Sequence, residues 1–432
     1  MVMDTRLNVL PVSFRNFFQP RKLEMRIGIV TTWFERGAAY VSRQYRDLLR
    51  KSGDDVLIYA RGGERYAQSD PSWNTSDVTW GKRCAVQRVT GIDRKDFVSW
   101  IRRHNLELII FNEQWWLPPV FWAMECGCRT VAYIDYYTEA TVDSFSIYDG
   151  LICNTQRHHS VFKTHPYCQY IPWGTDLELF RPQSSGSRDQ EGPVFFHSAG
   201  LSPYRKGTDL VLKAFARLTG HAHLILHMQE GAFSSIADVE PLANKLVEQG
   251  RLTIYDREVS APGLYHLGDV YVYPSRLEGI GLTQAEALAC GLPIIVPDNP
   301  PMNEFVAPES GVAVAVDKLW SRADGYYWPQ CLVNLDALTS AMQSFVDESH
   351  SVVEKKIAAR AFAERCLNWY KNGSNLSAWL SALPKHSLPD GLKRQLQDDE
   401  ISLPVTAVKL LKKCPSIWNF VTHLHQVFRK RY

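Results

Sequence analysis

The chain has 432 residues, 45% of them hydrophobic and 22% charged, which is the composition of a globular protein with two or three domains. Its 48 basic and 46 acidic residues leave a formal charge of +2, which disfavours nucleic acid as a partner. The nine cysteines are scattered, and neither a signal-peptide pattern nor the roughly 20 apolar residues of a membrane span are found. We therefore predict a cytoplasmic protein with reduced thiols.

The N-terminal half predicts an α/β domain. Residues 1–24 precede any predicted strand and form an N-terminal extension, which either packs on its own domain or contacts a membrane surface. Apolar strand-like runs then alternate with helical patterns, as in a doubly wound parallel sheet. We place this Rossmann-like domain at residues 25–182, with strands over residues 26–32, 55–59, 106–111, 130–134 and 151–154.

Polar and aromatic side chains follow two of these strands. They occupy residues 112–116 and the run Asp135-Tyr136-Tyr137. Ligands bind at the carboxyl ends of strands in an open parallel sheet, so both runs are candidates for a binding site. The aromatic residues either pack at the rim of the domain or stack on a sugar, and their density favours stacking.

A second doubly wound domain is predicted at residues 193–360, after a polar linker at residues 183–192. Its strand-like runs cover residues 194–197, 224–227, 252–255, 270–273, 294–296 and 312–316. Arg205 and Lys206 lie in the first strand-to-helix turn of this domain. Two adjacent cations at such a turn can neutralise a departing diphosphate as a metal ion would. The alternative is a solvated basic turn.

Residues 271–304 contain a strand, a glycine loop, a short helix and a second strand. Thr283 is a predicted helix N-cap and Glu286 stands three residues on, the spacing of a capping box. The helix N-terminus above Gly281 is then a site for a diphosphate. Glu278 and Glu286 both point into one crevice, where carboxylates suit sugar hydroxyls. The alternative is that Glu286 only caps Thr283 and Glu278 is a solvated loop acid.

This stretch resembles the E-x7-E signature of family 4 retaining glycosyltransferases, which have the two-domain GT-B fold. The residues that carry the resemblance run from Glu278 through Gly281, Leu282 and Thr283 to Glu286. The resemblance implies that Glu278 contacts the donor hexose, that Glu286 holds the ribose, and that the helix start binds the donor diphosphate. It extends from about residue 25 to about residue 380 and implies two Rossmann-like domains facing a central cleft.

The basic turn also resembles the family. Lys206 matches the lysine of the motif G-R-x-x-x-x-K-G, whose Arg and Lys grip the donor phosphates in that family. The arginine position of the motif is Leu201 in this chain. The resemblance therefore implies that a guanidinium contact to the phosphates comes from Arg205.

Three weaker matches complete the implied site. Gly37 lies where the family keeps a glycine loop that faces the diphosphate and the acceptor. Asp135 is the closest match to the histidine or acid that the family places near the reacting carbon. Val259 lies in the segment that corresponds to the loop bracketing the nucleobase through backbone contacts.

The C-terminal part departs from the family pattern. Residues 319–330 form an aromatic insertion that covers a sugar or contacts another protomer. Closing helices are predicted at residues 361–383, followed by a basic amphipathic tail at residues 384–432. The apolar stripe from residue 417 to residue 428 either docks on the first domain or brings the protein to an anionic membrane.

The sequence thus predicts an enzyme that moves a hexose, with retention, from a nucleotide diphosphate sugar to a hydroxyl acceptor, namely a polysaccharide or a lipid-linked glycan. No metal or cofactor is expected, because Lys206 and the helix N-terminus can neutralise the diphosphate and no convincing D-x-D acid pair ends a strand. His158 and His159 are neighbours on a helix and face different sides, so they are not a metal pair. Two alternatives stay open. One is a non-catalytic nucleotide-sugar-binding protein of the same fold, and the other is a glycosyltransferase that acts on modified DNA. The predicted location is the cytoplasm or the inner face of the membrane.

Overall fold

The structure is a computed structural model. It describes residues 25–61, 66–84, 88–183, 191–229 and 231–401, together with residues 413 and 417. The predicted N-terminal extension, most of the predicted linker and the apolar stripe of the tail after Ile417 lie outside the described residues. No helix in the described ranges is long and apolar enough to cross a membrane.

The first domain is built on a parallel sheet. Its strands in the described residues are β1 (Arg26–Thr31), β2 (Asp55–Ala60), β3 (Val78–Trp80), β4 (Leu108–Asn112), β5 (Arg129–Tyr133), β6 (Gly150–Cys153) and β7 (Cys168–Tyr170). Their order is β3-β2-β1-β4-β5-β6-β7, so the strand order reverses between β1 and β4. Every residue of β4 and β6 is buried, because helices cover both faces of the sheet.

The helices of this domain connect successive strands. They are α1 (Gly37–Lys51), α2 (Arg94–Arg103), α3 (Pro118–Glu125) and α4 (Gln156–Phe162), with a 3-10 helix at Glu139–Ile147. The Thr155 side chain caps α4 by accepting a hydrogen bond from the backbone N–H of His158. This cap fixes where α4 begins and therefore which of its residues face the second domain.

The second domain repeats the architecture. The strands that the structure describes here are β8 (Val194–Gly200), β9 (His223–Met228), β10 (Leu252–Asp256), β11 (Val270–Val272), β12 (Ile294–Pro297) and β13 (Gly311–Val314). All pair in parallel in the order β10-β9-β8-β11-β12-β13. The order reverses between β8 and β11, so a crevice is expected above the carboxyl ends of these two strands.

Helices also cover both faces of the second sheet. They are α5 (Pro203–Lys206), α6 (Thr208–Phe215), α7 (Glu240–Glu248), α8 (Leu282–Ala289) and α9 (Leu335–Asp347), with 3-10 helices at Ala232–Val239, Tyr265–Leu267 and Met302–Phe305. The two predicted Rossmann-like domains are thus present. The short edge strands β3 and β7 were not predicted.

The aromatic insertion is an antiparallel hairpin that extends to the first domain. Its strands are β14 (Val316–Trp320) and β15 (Gln330–Val333), so the single strand predicted over residues 312–316 is divided between β13 and β14. At the tip of the hairpin, the Tyr327 N–H donates to the Tyr137 carbonyl at 2.9 Å. Tyr326 also forms an isolated bridge with Thr138. The hairpin therefore joins the two domains.

The chain returns to the first domain through further helices. These are a 3-10 helix at Ser349–Ser351, α10 (Val352–Cys366), α11 (Trp369–Asn372), α12 (Leu376–Ala382) and α13 (Asp390–Ile401). The crossing point lies at the start of α11, where the rings of Trp369 and Trp173 are 4.8 Å apart. The Trp369 indole N–H also donates to the Gln44 carbonyl at 3.1 Å.

The first part of the predicted basic amphipathic tail contains α13. This helix packs on the first domain, because Leu396 is buried in the core there and Glu400 accepts a hydrogen bond from the Trp122 indole at 2.9 Å. Glu400 also pairs with Arg94 at 3.1 Å. The sequence pattern missed this contact because α13 carries many charges and has a narrow apolar face.

Candidate active site

The loop between β11 and α8 forms the floor of the crevice, and its helix begins differently from the prediction. Gly281, with φ of +93°, is the N-cap of α8, and Thr283 is the second residue inside the helix. The predicted capping box of Thr283 and Glu286 is therefore wrong. A left-handed backbone at the cap favours glycine, and a Cβ at this position would also lie 2.1 Å from the Gln284 amide nitrogen.

Glu278 is the centre of a hydrogen-bonded cluster and is only 6% exposed. Its carboxylate accepts from the Lys206 ammonium at 2.7 Å, from the Tyr273 hydroxyl at 2.9 Å and from the Ser275 hydroxyl at 2.5 Å. The Arg205 guanidinium lies 3.3 Å from both carboxylate oxygens. Glu278 is therefore a fixed, ion-paired carboxylate rather than a solvated loop acid.

The charges of this cluster shift its pKa values strongly. Burial alone would raise the pKa of Glu278, but the positive charges of Lys206 and Arg205 lower it to about 2. Burial and the charge of Arg205 lower the pKa of Lys206 to about 8, although Glu278 opposes that shift. Such opposed shifts of neighbouring acid and base groups are characteristic of functional sites.

A buried ion pair holds the turn that carries the two cations of the cluster. The Arg276 guanidinium binds the Asp209 carboxylate with two hydrogen bonds of 2.8 and 2.9 Å, and both side chains are buried. The Arg276 N–H also donates to the Arg205 carbonyl at 2.8 Å. A bidentate pair restricts the orientation of both partners, so this contact fixes the turn that carries Arg205 and Lys206.

Glu286 lies one turn inside α8 and has a different partner from the one predicted. Its carboxylate accepts from the Tyr265 hydroxyl at 2.6 Å. Burial raises the pKa of Glu286 to about 7, while Tyr265 and Lys206 act in the opposite direction. Since it is half-buried, Glu286 retains acceptor capacity for a ligand at the start of the helix.

The start of α8 meets the first domain. A Cβ built on Gly37, the first residue of α1, would lie 3.7 Å from a methyl group of Leu282. The side-chain amide of Gln284 is fully buried at this end of α8, and neither its oxygen nor its nitrogen has a hydrogen-bond partner among the described residues. The two predicted backbone loops thus face each other across the cleft beside a polar group that lacks a partner.

Asp135 also crosses the cleft to the glycine loop. A Cβ on Gly279 would lie 2.2 Å from a carboxylate oxygen of Asp135, so only glycine permits this approach. Burial, and then the neighbouring carboxylate of Glu113, raise the pKa of Asp135 to about 8. Glu113 in turn lies 3.4 Å from the Arg36 guanidinium. Two close carboxyl groups retain a proton more readily than one alone.

Helix α4 of the first domain binds the same loop through two side chains. The Arg157 guanidinium donates to the Glu278 carbonyl at 2.5 Å and to the Pro300 carbonyl at 2.7 Å. The His158 ring nitrogen Nε2 lies 3.2 Å from the Gly279 carbonyl. Burial lowers the pKa of His158 to about 3, so this imidazole is neutral at physiological pH. Arg157 and His158 thus hold the domains together at the cleft.

Val259 lies apart from this cluster. It follows β10, and two strands, β9 and β8, separate β10 from β11 in the sheet. The side chain is half-buried in a loop whose neighbours Arg257 and Glu258 are exposed. The structure therefore brings Glu278, Lys206, Arg205, Glu286 and Asp135 to one crevice and leaves Val259 at its far side.

Sequence reasoning did not assign several residues of the crevice. These are Tyr273, Ser275, Arg157 and His158, whereas Glu113 lies in the run 112–116 that was predicted as a candidate binding site. The first two precede Glu278 by five and three residues, and their polar groups next to a buried acid were a usable signal. Arg157 and His158 carried no such signal, because their partners are backbone carbonyls of the other domain.

Two doubly wound domains with a crevice between their facing edges define the GT-B fold. Residues 182–323 match the family described as Glycosyl transferases group 1. The matched segment contains the basic turn, Glu278 and Glu286. The predicted fold class is confirmed, and so is the resemblance to group 1 glycosyltransferases.

A known glycosyltransferase is also similar to this chain in sequence. The chain is 25% identical over 253 residues to a GDP-mannose-dependent monoacylated alpha-(1-6)-phosphatidylinositol monomannoside mannosyltransferase of Corynebacterium glutamicum. That match covers 53% of this chain and 60% of the relative, so the chain spans less than two thirds of the relative's length.

Solved structures share the fold. A sucrose-phosphate synthase from Thermosynechococcus elongatus superposes with a TM-score of 0.64 and 18% identity, covering 87% of this chain and 99% of that one. HepE of Anabaena in complex with UDP and glucose gives a TM-score of 0.64 and 16% identity, covering 83% of this chain and 100% of HepE. At these identities the likeness shows the fold alone.

Proposed function

We propose that the protein is a retaining glycosyltransferase of family 4, which moves a hexose from a nucleotide diphosphate sugar to a hydroxyl acceptor. The observation that carries the proposal is the buried carboxylate of Glu278, held between Lys206 and Arg205 at the strand-order reversal of the second sheet. A fixed carboxylate is a suitable acceptor for sugar hydroxyls. Glu286, eight residues later, is placed for the ribose hydroxyls.

The chemistry follows from where charge develops. The bond between the anomeric carbon and the diphosphate oxygen breaks, and the diphosphate leaves with the electron pair. Lys206, Arg205 and the N–H groups at the start of α8 stabilise that negative charge, and Gln284 supplies an additional amide. The acceptor oxygen forms the new bond to the anomeric carbon and loses its proton, which the departing diphosphate accepts.

The acceptor is a glycan or a lipid-linked glycan. The Corynebacterium relative is a mannosyltransferase that acts on a phosphatidylinositol monomannoside, and its name supports an acceptor of this class. A peripheral contact with the inner face of the membrane is part of the proposal. The predicted apolar stripe of the tail is the segment that would make that contact.

Donor hydrolysis tests the proposal. The purified protein is incubated with UDP-glucose, UDP-galactose, UDP-N-acetylglucosamine, GDP-mannose and ADP-glucose, with and without excess EDTA, and release of the nucleoside diphosphate is measured. We expect one donor to be hydrolysed at the same rate in EDTA, because cationic side chains replace a metal ion. Loss of activity in EDTA that Mg²⁺ restores would contradict the metal-independent mechanism. Binding of a nucleotide sugar without hydrolysis or transfer would favour the non-catalytic alternative.

A further inference from the structure

An exposed tryptophan lies at the carboxyl end of β4, beside the candidate active site. Trp115 is 50% exposed, although the loop that carries it is held tightly. The backbone N–H of Trp115 donates to the Thr90 hydroxyl at 3.0 Å, and the buried side chain of Gln114 donates to the Thr90 carbonyl at 2.9 Å. The exposure of Trp115 is therefore imposed by a fixed loop, at a cost in apolar surface left in water.

Two further rings stack behind Trp115. The Trp115 and Tyr136 rings are 4.6 Å apart at 29°, and the Tyr136 and Tyr326 rings are 5.3 Å apart at 18°. Tyr326 belongs to the β14–β15 hairpin of the second domain, and its hydroxyl donates to the Asp135 carbonyl at 3.3 Å. We call these three residues the aromatic ladder. It spans both domains, and its middle residue, Tyr136, directly follows Asp135.

Charged groups surround the ladder. The Arg322 guanidinium lies 5.9 Å from the Tyr136 ring centre and 5.7 Å from that of Tyr326. Glu113, two residues before Trp115, pairs with Arg36. Stacked rings with a guanidinium beside them offer an apolar face for the C–H groups of a sugar and hydrogen-bond donors for its hydroxyls. A ring that enters a membrane is instead surrounded by apolar and basic residues.

We propose that the aromatic ladder is an acceptor platform, in which a sugar ring of the acceptor stacks on Trp115 while its nucleophilic hydroxyl points toward Asp135. The acceptor is then a glycan or a glycoside, recognised through a sugar ring and not through a lipid chain. This inference rests on the proposed glycosyl transfer. Because Tyr326 comes from the second domain, the platform is complete only when the hairpin contacts the first domain.

Matched variants separate this role from a structural one. Trp115→Ala removes the ring, and Trp115→Phe keeps an aromatic surface. Tyr167→Ala is the control, since Tyr167 is 41% exposed and precedes β7, an edge strand of the same sheet, whereas Trp115 follows the central strand β4. Melting temperatures of all three variants should match that of the wild type, because Trp115 and Tyr167 are exposed.

Binding is measured by saturation-transfer NMR with the methyl glycosides of mannose, glucose, galactose and N-acetylglucosamine. We expect saturation of at least one glycoside by the wild type, the same signal with Tyr167→Ala and Trp115→Phe, and a roughly tenfold weaker affinity with Trp115→Ala. The affinity for the free nucleoside diphosphate should not change. Equal binding by the wild type and Trp115→Ala, or no binding of any glycoside by the wild type, would overturn the platform.

Liposome sedimentation and donor hydrolysis distinguish the remaining outcomes. If Trp115→Ala reduces sedimentation with phosphatidylglycerol vesicles but leaves glycoside binding intact, Trp115 is a membrane contact and the proposal is wrong. If the wild type binds a glycoside through Trp115 but neither hydrolyses nor transfers any donor sugar, the proposed transferase function fails while the platform stands. If donor hydrolysis is normal and Trp115→Ala has no effect on glycoside binding, only the platform fails.

Discussion

The ammonium of Lys206 lies 2.7 Å from the carboxylate of Glu278, although the two residues belong to different loops of the second domain. Lys206 ends α5 after β8, and Glu278 follows β11, which pairs directly with β8. The strand order therefore brings the pair together. Both side chains are largely buried, so the attraction between the charges offsets the cost of removing each from water.

Removing the cation alone should destabilise the protein. In Lys206→Met the buried carboxylate of Glu278 keeps Arg205 but loses its closest cationic partner, and we expect the free energy of unfolding to fall by about 1 to 3 kcal/mol. The double variant Lys206→Met/Glu278→Gln removes both charges and should recover part of that loss. Urea unfolding at pH 7 measures the free energy of unfolding of both variants. Additive losses in the double variant would mean that the two charges do not interact.

Acidification should reveal the paired state of Glu278. Its pKa is about 2 in the folded protein and near 4.5 when unfolded, so the pair stabilises the fold above pH 4.5. That contribution, on the order of 3 kcal/mol, is lost as the pH falls from about 4.5 to 2. Urea unfolding of the wild type and Glu278→Gln at pH 5 and pH 3 isolates the effect. Between pH 5 and pH 3 the free energy of unfolding should fall less in the variant than in the wild type. Equal falls would contradict the low pKa assigned to Glu278.

Nucleotide binding should depend on the ionisation of Glu286. Its pKa is about 7, and the ionised form accepts hydroxyl hydrogen bonds more strongly. The ratio of the wild-type affinity for the nucleoside diphosphate to that of Glu286→Gln, measured by calorimetry, should therefore rise between pH 6 and pH 8, since the titration of Lys206 is common to both proteins. The variant should bind about tenfold more weakly at pH 8. The helix should survive, because Gly281 and not Glu286 caps it. Unchanged affinity would remove Glu286 from the donor site.

A methyl group at Gly279 should prevent the two domains from meeting. The added Cβ of Gly279→Ala would lie 2.2 Å from the Asp135 carboxylate, so the domains must separate or Asp135 must move. We expect donor turnover to fall by about 100-fold with little change in nucleotide affinity, because a small misplacement of reacting groups is costly. Gly391→Ala is the control, since nothing lies within 4 Å of its added Cβ. Equal turnover in both variants would contradict a role for this approach.

Much of the fold follows from the sequence, because buried parallel strands are continuous apolar runs. The strands at residues 108–112 and 294–297 were predicted within two residues at each end. The edge strands at residues 78–80 and 168–170 were missed, because they are three residues long and only partly buried. The β14–β15 hairpin was not predicted as a pair of strands, because its aromatic residues pack against the first domain.

The candidate active site was likewise predicted only in part. Glu278, Glu286 and Lys206 lie in local sequence patterns, and the structure brings them to the predicted crevice. The role of Thr283 as a cap was wrong because the left-handed conformation of Gly281 begins the helix two residues earlier. The contacts of Arg157 and His158 with the glycine loop depend on how two domains meet, and spacing along the chain carries no information on that geometry.

Release of nucleoside diphosphate by Glu278→Gln tests most directly whether Glu278 is part of a transferase site. With the donor that the wild type hydrolyses, the variant should lose turnover by about 100-fold or more, as when a charged transition-state contact is removed. Its affinity for the free nucleoside diphosphate should stay within about threefold of the wild type, because Glu278 is assigned to the sugar and not to the nucleotide. Turnover equal to that of the wild type would contradict the assignment of this carboxylate to the reacting sugar.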